Sequence, residues 1–267
     1  MSAEPTSPLE RLRAIMARLR APDGCPWDRE QTFSSIAPFT IEEAYEVDEA
    51  IRQGDRESLK DELGDLLFQV IFHSRLAEEE GAFDLNDVAV AMADKLIRRH
   101  PHVFADAEFD SEEAQTASWE AIKAAERANK GAQSTLDDVP LALPALARAT
   151  KLGKRASRVG FDWPDTAGPL DKIREELDEL DEAIQEDQGQ DRLEAELGDL
   201  LFAVTNVARH LKLDPEKALR HCNAKFERRF RAVESGLRAQ GLKTGEASLA
   251  DMDALWNKAK LSESGND

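Results

Sequence analysis

The chain has 267 residues and a formal net charge of −19, with 35 Lys and Arg against 54 Asp and Glu. That balance excludes a protein that wraps nucleic acid, which needs a basic footprint, but not one that takes a small phosphorylated ligand through a bridging metal ion. A single Tyr and few β-branched runs argue against a large sheet, and a charged fraction of 33% suits long amphipathic helices.

In chain order, Met1 to Pro8 is polar, lacks the apolar core of a signal peptide and reads as a frayed tail. Asp23-Gly24-Cys25-Pro26 marks a loop. Glu42-Glu43-Ala44-Tyr45-Glu46 lies on a first helix and Glu62-Leu63-Gly64-Asp65-Leu66-Leu67-Phe68 on a second, with Gly54 in the turn between them. Lys95-Leu96-Ile97-Arg98-Arg99 follows, then Trp119 and Lys123. Asn129 to Pro144 contains Gly131, Ser134, Thr135, Pro140 and Pro144, residues that stop helices. This places an N-terminal domain over 1–130, a linker over 131–144 and a C-terminal domain over 145–267.

The second half repeats the first. After a loop at Asp162-Trp163-Pro164 comes Glu175-Glu176-Leu177-Asp178-Glu179, then a turn at Gly189. The E-L-G-D-L-L-F block returns unchanged as Glu196 to Phe202, Lys225-Phe226-Glu227-Arg228-Arg229 echoes Lys95 to Arg99, and Trp256 with Lys260 echoes Trp119 with Lys123. Blocks in one order at offsets of 130 to 137 residues indicate a duplicated helical domain. The fold class expected is all-α, a tandem of two helical bundles. The most apolar stretch, Leu66 to Phe72, is too short to span a bilayer. Cys25 and Cys222 form neither a disulfide framework nor a zinc pattern, so a reduced, cytoplasmic setting is expected.

Residues three apart on a helix share a face. Glu43 with Glu46, and Glu62 with Asp65, therefore converge if their helices pack antiparallel across Gly54. Glu176, Glu179, Glu196 and Asp199 repeat the arrangement. Four converging carboxylates repel one another unless protons or a cation neutralise them. An oxygen-only ligand set fits a hard cation, Mg²⁺ or Mn²⁺. A di-iron bundle would need Glu-x-x-His pairs, and none occurs. There is no Walker loop and no H-E-x-x-H run. The five histidines show no metal-ligand pattern and read as structural or surface residues. The second helix of each half looks apolar nearly all round, which predicts burial. Gly64 and Gly198, inside those helices, imply either close helix packing or room for a ligand.

E-E-x-x-E followed by E-x-x-D resembles the signature of the all-α NTP pyrophosphatases. Gly24-Cys25-Pro26-Trp27-Asp28, Gln31-Thr32, the E-L-G-D-L-L-F block, His100-Pro101-His102-Val103-Phe104, Leu143-Pro144-Ala145-Leu146 and Val159-Gly160-Phe161-Asp162-Trp163 make the chain similar to the MazG nucleoside triphosphate pyrophosphohydrolases. The resemblance runs from about Leu9 to about Lys260 and omits Phe109 to Ala114. It implies Mg²⁺-dependent cleavage of nucleoside triphosphates between the α- and β-phosphates, giving monophosphate and pyrophosphate. It also implies homodimers in which paired domains complete the bundle, and a role in clearing non-standard nucleotides.

On that resemblance, Glu176, Glu179, Glu196 and Asp199 hold the catalytic ion, and Glu43, Glu46, Glu62 and Asp65 hold another. Lys225, Arg228 and Arg229 would neutralise the triphosphate, and Trp256 would stack on the base or simply pack. The halves differ in charge. Lys172 precedes Glu176 by four residues where Phe39 precedes Glu43; Arg192 precedes Glu196 where Ser58 precedes Glu62. Two more cations beside a triphosphate make the C-terminal half the expected main active site. The rival expectations are a narrower dUTP/dCTP-type or phosphoribosyl-ATP pyrophosphohydrolase, and a non-catalytic helical interaction module.

Overall fold

The computed structural model describes residues 7–129 and 131–264. Among the described residues there is no strand, and the all-α expectation holds. The chain divides into two compact units after Ala124. The division falls within one helix, and residues 131–144 hold turns but no helix. Most of the expected N-terminal tail, Met1 to Thr6, lies outside the described residues. Its end is not frayed: the Ser7 hydroxyl accepts from Glu10 N and Glu10 reaches back to Ser7 N, a capping box that starts α1 at Pro8.

The first unit contains α1 (Pro8–Leu19), α2 (Pro26–Glu30), α3 (Phe33–Gln53), α4 (Arg56–Glu79), α5 (Leu85–Arg99), α6 (Pro101–Phe104) and most of α7 (Glu112–Asn129). A Thr32–Ser35 capping box starts α3. Gly54, at φ 72°, ends it in the left-handed region that suits glycine, and the Asp55 carboxylate caps α4 by accepting from Glu57 N and Ser58 N. The result is an antiparallel hairpin. Met16, Ile36, Ile71, Phe72 and Leu76 form its core, with Leu19, Phe68 and Leu85 against them. Arg20, nearly buried, ties α1 to α4 through Glu79 at 2.7 Å.

The second unit contains α8 (Ala145–Ser157), α9 (Ala167–Gln185), α10 (Gln190–His210), α11 (Pro215–Ala239) and α12 (Leu249–Ser264). Gly189, at φ 90°, turns the chain from α9 into α10 as Gly54 does between α3 and α4. Ala183, Ala203, Val233 and Leu237 are buried. At Gly236 a Cβ would come within 2.6 Å of Leu255, so this glycine lets α12 lie close on α11. Asp162 receives both Arg209 amino groups, the longer contact at 2.7 Å, and bonds His210 at 3.0 Å, which pins the loop before α9 to the end of α10.

The expectation that α4 and α10 are buried all round is wrong on one face. Ile71, Phe72 and Leu76 are covered, but Leu63, Leu67 and Val70 are exposed, as are Leu197, Leu201 and Val204. Both triplets fall at i, i+4 and i+7, one stripe down each helix. The helices of each unit cover one side of α4 or α10 and leave this stripe uncovered. Gly64 and Gly198 lie in the same open surroundings: a Cβ at either meets nothing within 4 Å. Close packing within the chain is therefore not why they are glycine.

Candidate metal centre

The α3–α4 hairpin brings carboxylate oxygens of Glu43, Glu62 and Asp65 within 4.8 Å of one another, and the α9–α10 hairpin does the same with Glu176, Glu196 and Asp199. The fourth expected ligand of each set stands just outside its triad. Glu46 lies against Glu43 and Glu62. Glu179 lies against Glu196 and near Glu176. Helical spacing explains both sets: positions three apart on one helix face positions three apart on the other.

The two centres handle their charge differently. In the first, burial followed by the charges of Asp65 and Glu46 pushes the Glu43 carboxyl above its ordinary range. Burial, then Glu46 and Asp65, does the same to Glu62. No described Lys or Arg bonds to any of the four. The counterparts of the cationic positions are Phe39, edge-on to Trp27 at 6.3 Å, and half-buried Ser58.

In the second centre Glu176 and Glu196 are buried, Glu196 to 1% exposure. Lys172 Nζ lies 2.5 Å from Glu176 and 3.0 Å from Glu175. Those carboxylates, Glu176 first, hold the ammonium well above its ordinary pKa. Arg192 bonds Glu196 Oε1 and stands 3.7 Å from Glu179. Burial and then the Glu196 and Glu176 charges still raise Glu179. The predicted pair of extra cations thus sits on the carboxylates themselves.

Both donor sets are oxygen-only, which fits Mg²⁺ or Mn²⁺. Glu196 Oε2 is buried with no hydrogen-bond partner, an oxygen that a cation would satisfy. A site of three or four carboxylates leaves coordination positions for phosphate oxygens and water.

The remaining expected binding residues form a separate cluster on α11 and α12. Arg228 and Arg229 both bond Glu263, each at 2.7 Å. Together they hold the Glu263 carboxyl below its ordinary range. Phe226 packs on Trp256 at 5.2 Å, and the Arg229 guanidinium lies 5.8 Å from the indole centroid. Lys225 is exposed. None of these residues bonds to the four carboxylates. Glu263 was missed by sequence reasoning, although it lies seven residues after Trp256 and so on the same helix face. Of the histidines, His73 pairs with Thr40 at 3.0 Å and stacks on Phe33, and His210 pairs with Asp162.

The fold and its repeated acidic centre define an all-α protein made of two copies of one carboxylate-bearing helical hairpin. The chain belongs to the MazG nucleotide pyrophosphohydrolase family, whose domain model matches residues 31–104 and 169–233, so that each match contains one carboxylate hairpin. The chain is 52% identical over 257 residues to the nucleoside triphosphate pyrophosphohydrolase of Escherichia coli, covering 96% of this chain and 98% of that protein. It is 45% identical over 251 residues to the nucleoside triphosphate pyrophosphohydrolase/pyrophosphatase MazG of Thermotoga maritima, covering 94% and 95%. The nucleoside triphosphate pyrophosphohydrolase of Mycobacterium tuberculosis is 45% identical over 150 residues, 55% of this chain and 44% of that protein. No described helix is long and apolar enough to cross a membrane.

Proposed function

We propose that the chain hydrolyses nucleoside triphosphates between the α- and β-phosphates, to monophosphate and pyrophosphate, and that the second unit does most of this work. The observation that carries the assignment is the pairing of Lys172 with Glu176 and of Arg192 with Glu196. Cations resting on the carboxylates are placed to turn to the phosphates when a metal ion takes over those oxygens. Glu176, Glu179, Glu196 and Asp199 would hold Mg²⁺, with Mn²⁺ able to replace it. The bound ion supplies charge neutralisation between carboxylate and phosphate and polarises the phosphoryl oxygen. Glu179 lies outside the tight triad. With one oxygen not engaged by the ion, it would be the carboxylate to take the proton of the attacking water. Lys225, Arg228 and Arg229 add positive charge for the phosphates, and Trp256 stacks on the base. The first unit binds a divalent ion at Glu43, Glu46, Glu62 and Asp65 with little turnover.

The test is product analysis with each nucleoside triphosphate and Mg²⁺. Monophosphate and pyrophosphate are expected. Diphosphate and phosphate would overturn the cleavage position. No turnover with any nucleotide would favour an interaction module instead.

A homodimer belongs to this proposal. The exposed stripes on α4 and α10 support it, since aligned apolar rows on the carboxylate helices suit a second copy completing each bundle. Cys25 and Cys222 are free thiols, which supports a cytoplasmic setting.

A further inference from the structure

The first unit holds a cleft that the carboxylate centre does not use. It opens between the His100-Pro101-His102 turn and α7, with a volume of about 320 Å³. That is at the lower end of the roughly 300–1,000 Å³ of small-molecule sites. His100 to Phe104 closes the first family match, whereas Phe109 and all of α7 lie beyond it. The cleft is thus assembled partly from sequence outside the shared domain.

Its walls suit a flat heterocycle. Phe109, His102 and Trp119 line it, with His102 and Phe109 edge-on at 5.7 Å. Lys123 Nζ lies 4.0 Å from the Trp119 centroid, which steadies the indole. Polar groups of both kinds share the lining. The Gln115 amide nitrogen stands 3.0 Å from His102 Nε2. An amide N–H can only donate, so Nε2 accepts, and in the neutral ring the hydrogen sits on Nδ1. That Nδ1 is buried and has no partner. Glu112 lines the same cleft, and its carboxylate can only accept. Arg99 adds one positive charge against the Glu112 carboxylate.

The repeat points the same way. Arg99 and Trp119 are the sister positions of Arg229 and Trp256. In the second unit Phe226 packs against Trp256. Its counterpart here is Leu96, which removes one aromatic ring from this neighbourhood.

We propose that the cleft is a nucleobase site that binds nucleoside monophosphates without hydrolysing them. Stacking on Trp119 and Phe109 provides the contact area. The Thr116 and Ser118 hydroxyls of the lining donate to ring or carbonyl acceptors, and Glu112 accepts from an exocyclic amine. If the hydrolytic proposal is right, this ligand is the product of the second unit, and the first unit reports its concentration. Binding at the cleft does not depend on that.

The experiment is calorimetric titration of the full chain with AMP, adenosine and ribose 5-phosphate, with EDTA present so that no metal bridges phosphate to the carboxylates. AMP and adenosine are expected to bind one site per chain, both in the wild type and in Trp256→Ala. Trp119→Ala should weaken AMP at least tenfold, and Trp119→Phe should restore it to within threefold. Thr116→Phe, on the exposed start of α7, should block the cleft, with its melting curve confirming the fold. AMP binding that survives Trp119→Ala and Thr116→Phe, or that vanishes in Trp256→Ala, would overturn the site. Ribose 5-phosphate binding as tightly as AMP would overturn the base contact. Loss of triphosphate hydrolysis alone would leave this result untouched, since no turnover is read.

Discussion

Lys172 Nζ lies 2.5 Å from Glu176 Oε1, one helical turn away on α9. The ammonium and a divalent ion compete for the same buried carboxylate. Removing the ammonium should therefore help the metal and harm the substrate. Lys172→Met is expected to tighten Mn²⁺ binding at the second centre by about two- to fivefold, the scale of a partly exposed ion pair. The KM for a triphosphate should rise by about five- to tenfold, because one positive charge near the phosphates is lost. Calorimetry with Mn²⁺ alone and steady-state kinetics separate the two effects. An unchanged KM would remove Lys172 from substrate binding.

Glu176→Gln and Glu43→Gln test which unit works. Each removes one charge from a triad whose oxygens lie within 4.8 Å. Glu176→Gln should lower kcat/KM by about 100-fold or more, as expected for a group needed in the transition state. Glu43→Gln should leave it within about twofold. Equal losses in the two variants would show that both centres turn over.

The fold and both acidic hairpins were legible because they rest on local rules. Glycine at a φ of 72° or 90°, carboxylates three apart and a repeated block of seven residues each carry their geometry in the sequence. The cation asymmetry was legible for the same reason: Lys172 and Arg192 reach carboxylates one turn away on their own helices. The exposed stripes were not. Apolar composition says that Leu197 and Leu201 want cover, but not whether the cover comes from this chain or another. Glu263 was not legible either, because its pairing with Arg228 and Arg229 depends on α12 folding back along α11 over a gap of more than thirty residues. The cleft beside Trp119 depends on how α7 approaches the His100–Phe104 turn, a tertiary fact with no period to betray it.

The first centre should make metal-free protein less stable as pH rises. Glu43 and Glu62 are raised above 4.5, burial being the largest cause for each. A raised folded pKa contributes stability that is fully present below the unfolded value and is lost as pH climbs through the folded value. In EDTA, the melting temperature difference between Glu62→Gln and wild type should therefore grow in favour of the variant from about pH 4.5 towards 7. Saturating Mg²⁺ should abolish that trend, since the ion neutralises the same charges. A difference that is flat with pH in EDTA would contradict the arrangement.

Asp162 should act in the opposite sense. Arg209 chiefly, then His210, lowers its carboxyl from 3.8 to about 2. A depressed pKa gives stability present above the unfolded value and lost as pH falls through the folded one. Asp162→Asn should cost on the order of 1–2 kcal/mol at neutral pH, and the penalty should disappear as the wild type is titrated towards about pH 2. Denaturant melts at pH 7, 4 and 2.5 would trace this. A penalty that stays constant down to the lowest pH would assign the Asp162 contacts to packing instead of charge.

The stripe of Leu197, Leu201 and Val204 should hold two chains together. Covering a leucine side chain is worth roughly 1.5–3 kcal/mol when burial is complete. The matching stripe on α4 adds Leu63, Leu67 and Val70. A charge placed in the middle of either row would be buried without a partner, which is strongly unfavourable. Leu201→Asp is therefore expected to convert a dimer into a monomer in size-exclusion chromatography with light scattering, whereas Glu194→Lys, on an exposed position of the same helix, should not. Asp199 lies two residues before Leu201 on α10, so the monomer should also lose turnover, because the ligand helix no longer has its covering neighbour. A Leu201→Asp chain that remains dimeric and fully active would show that this stripe is simply solvated.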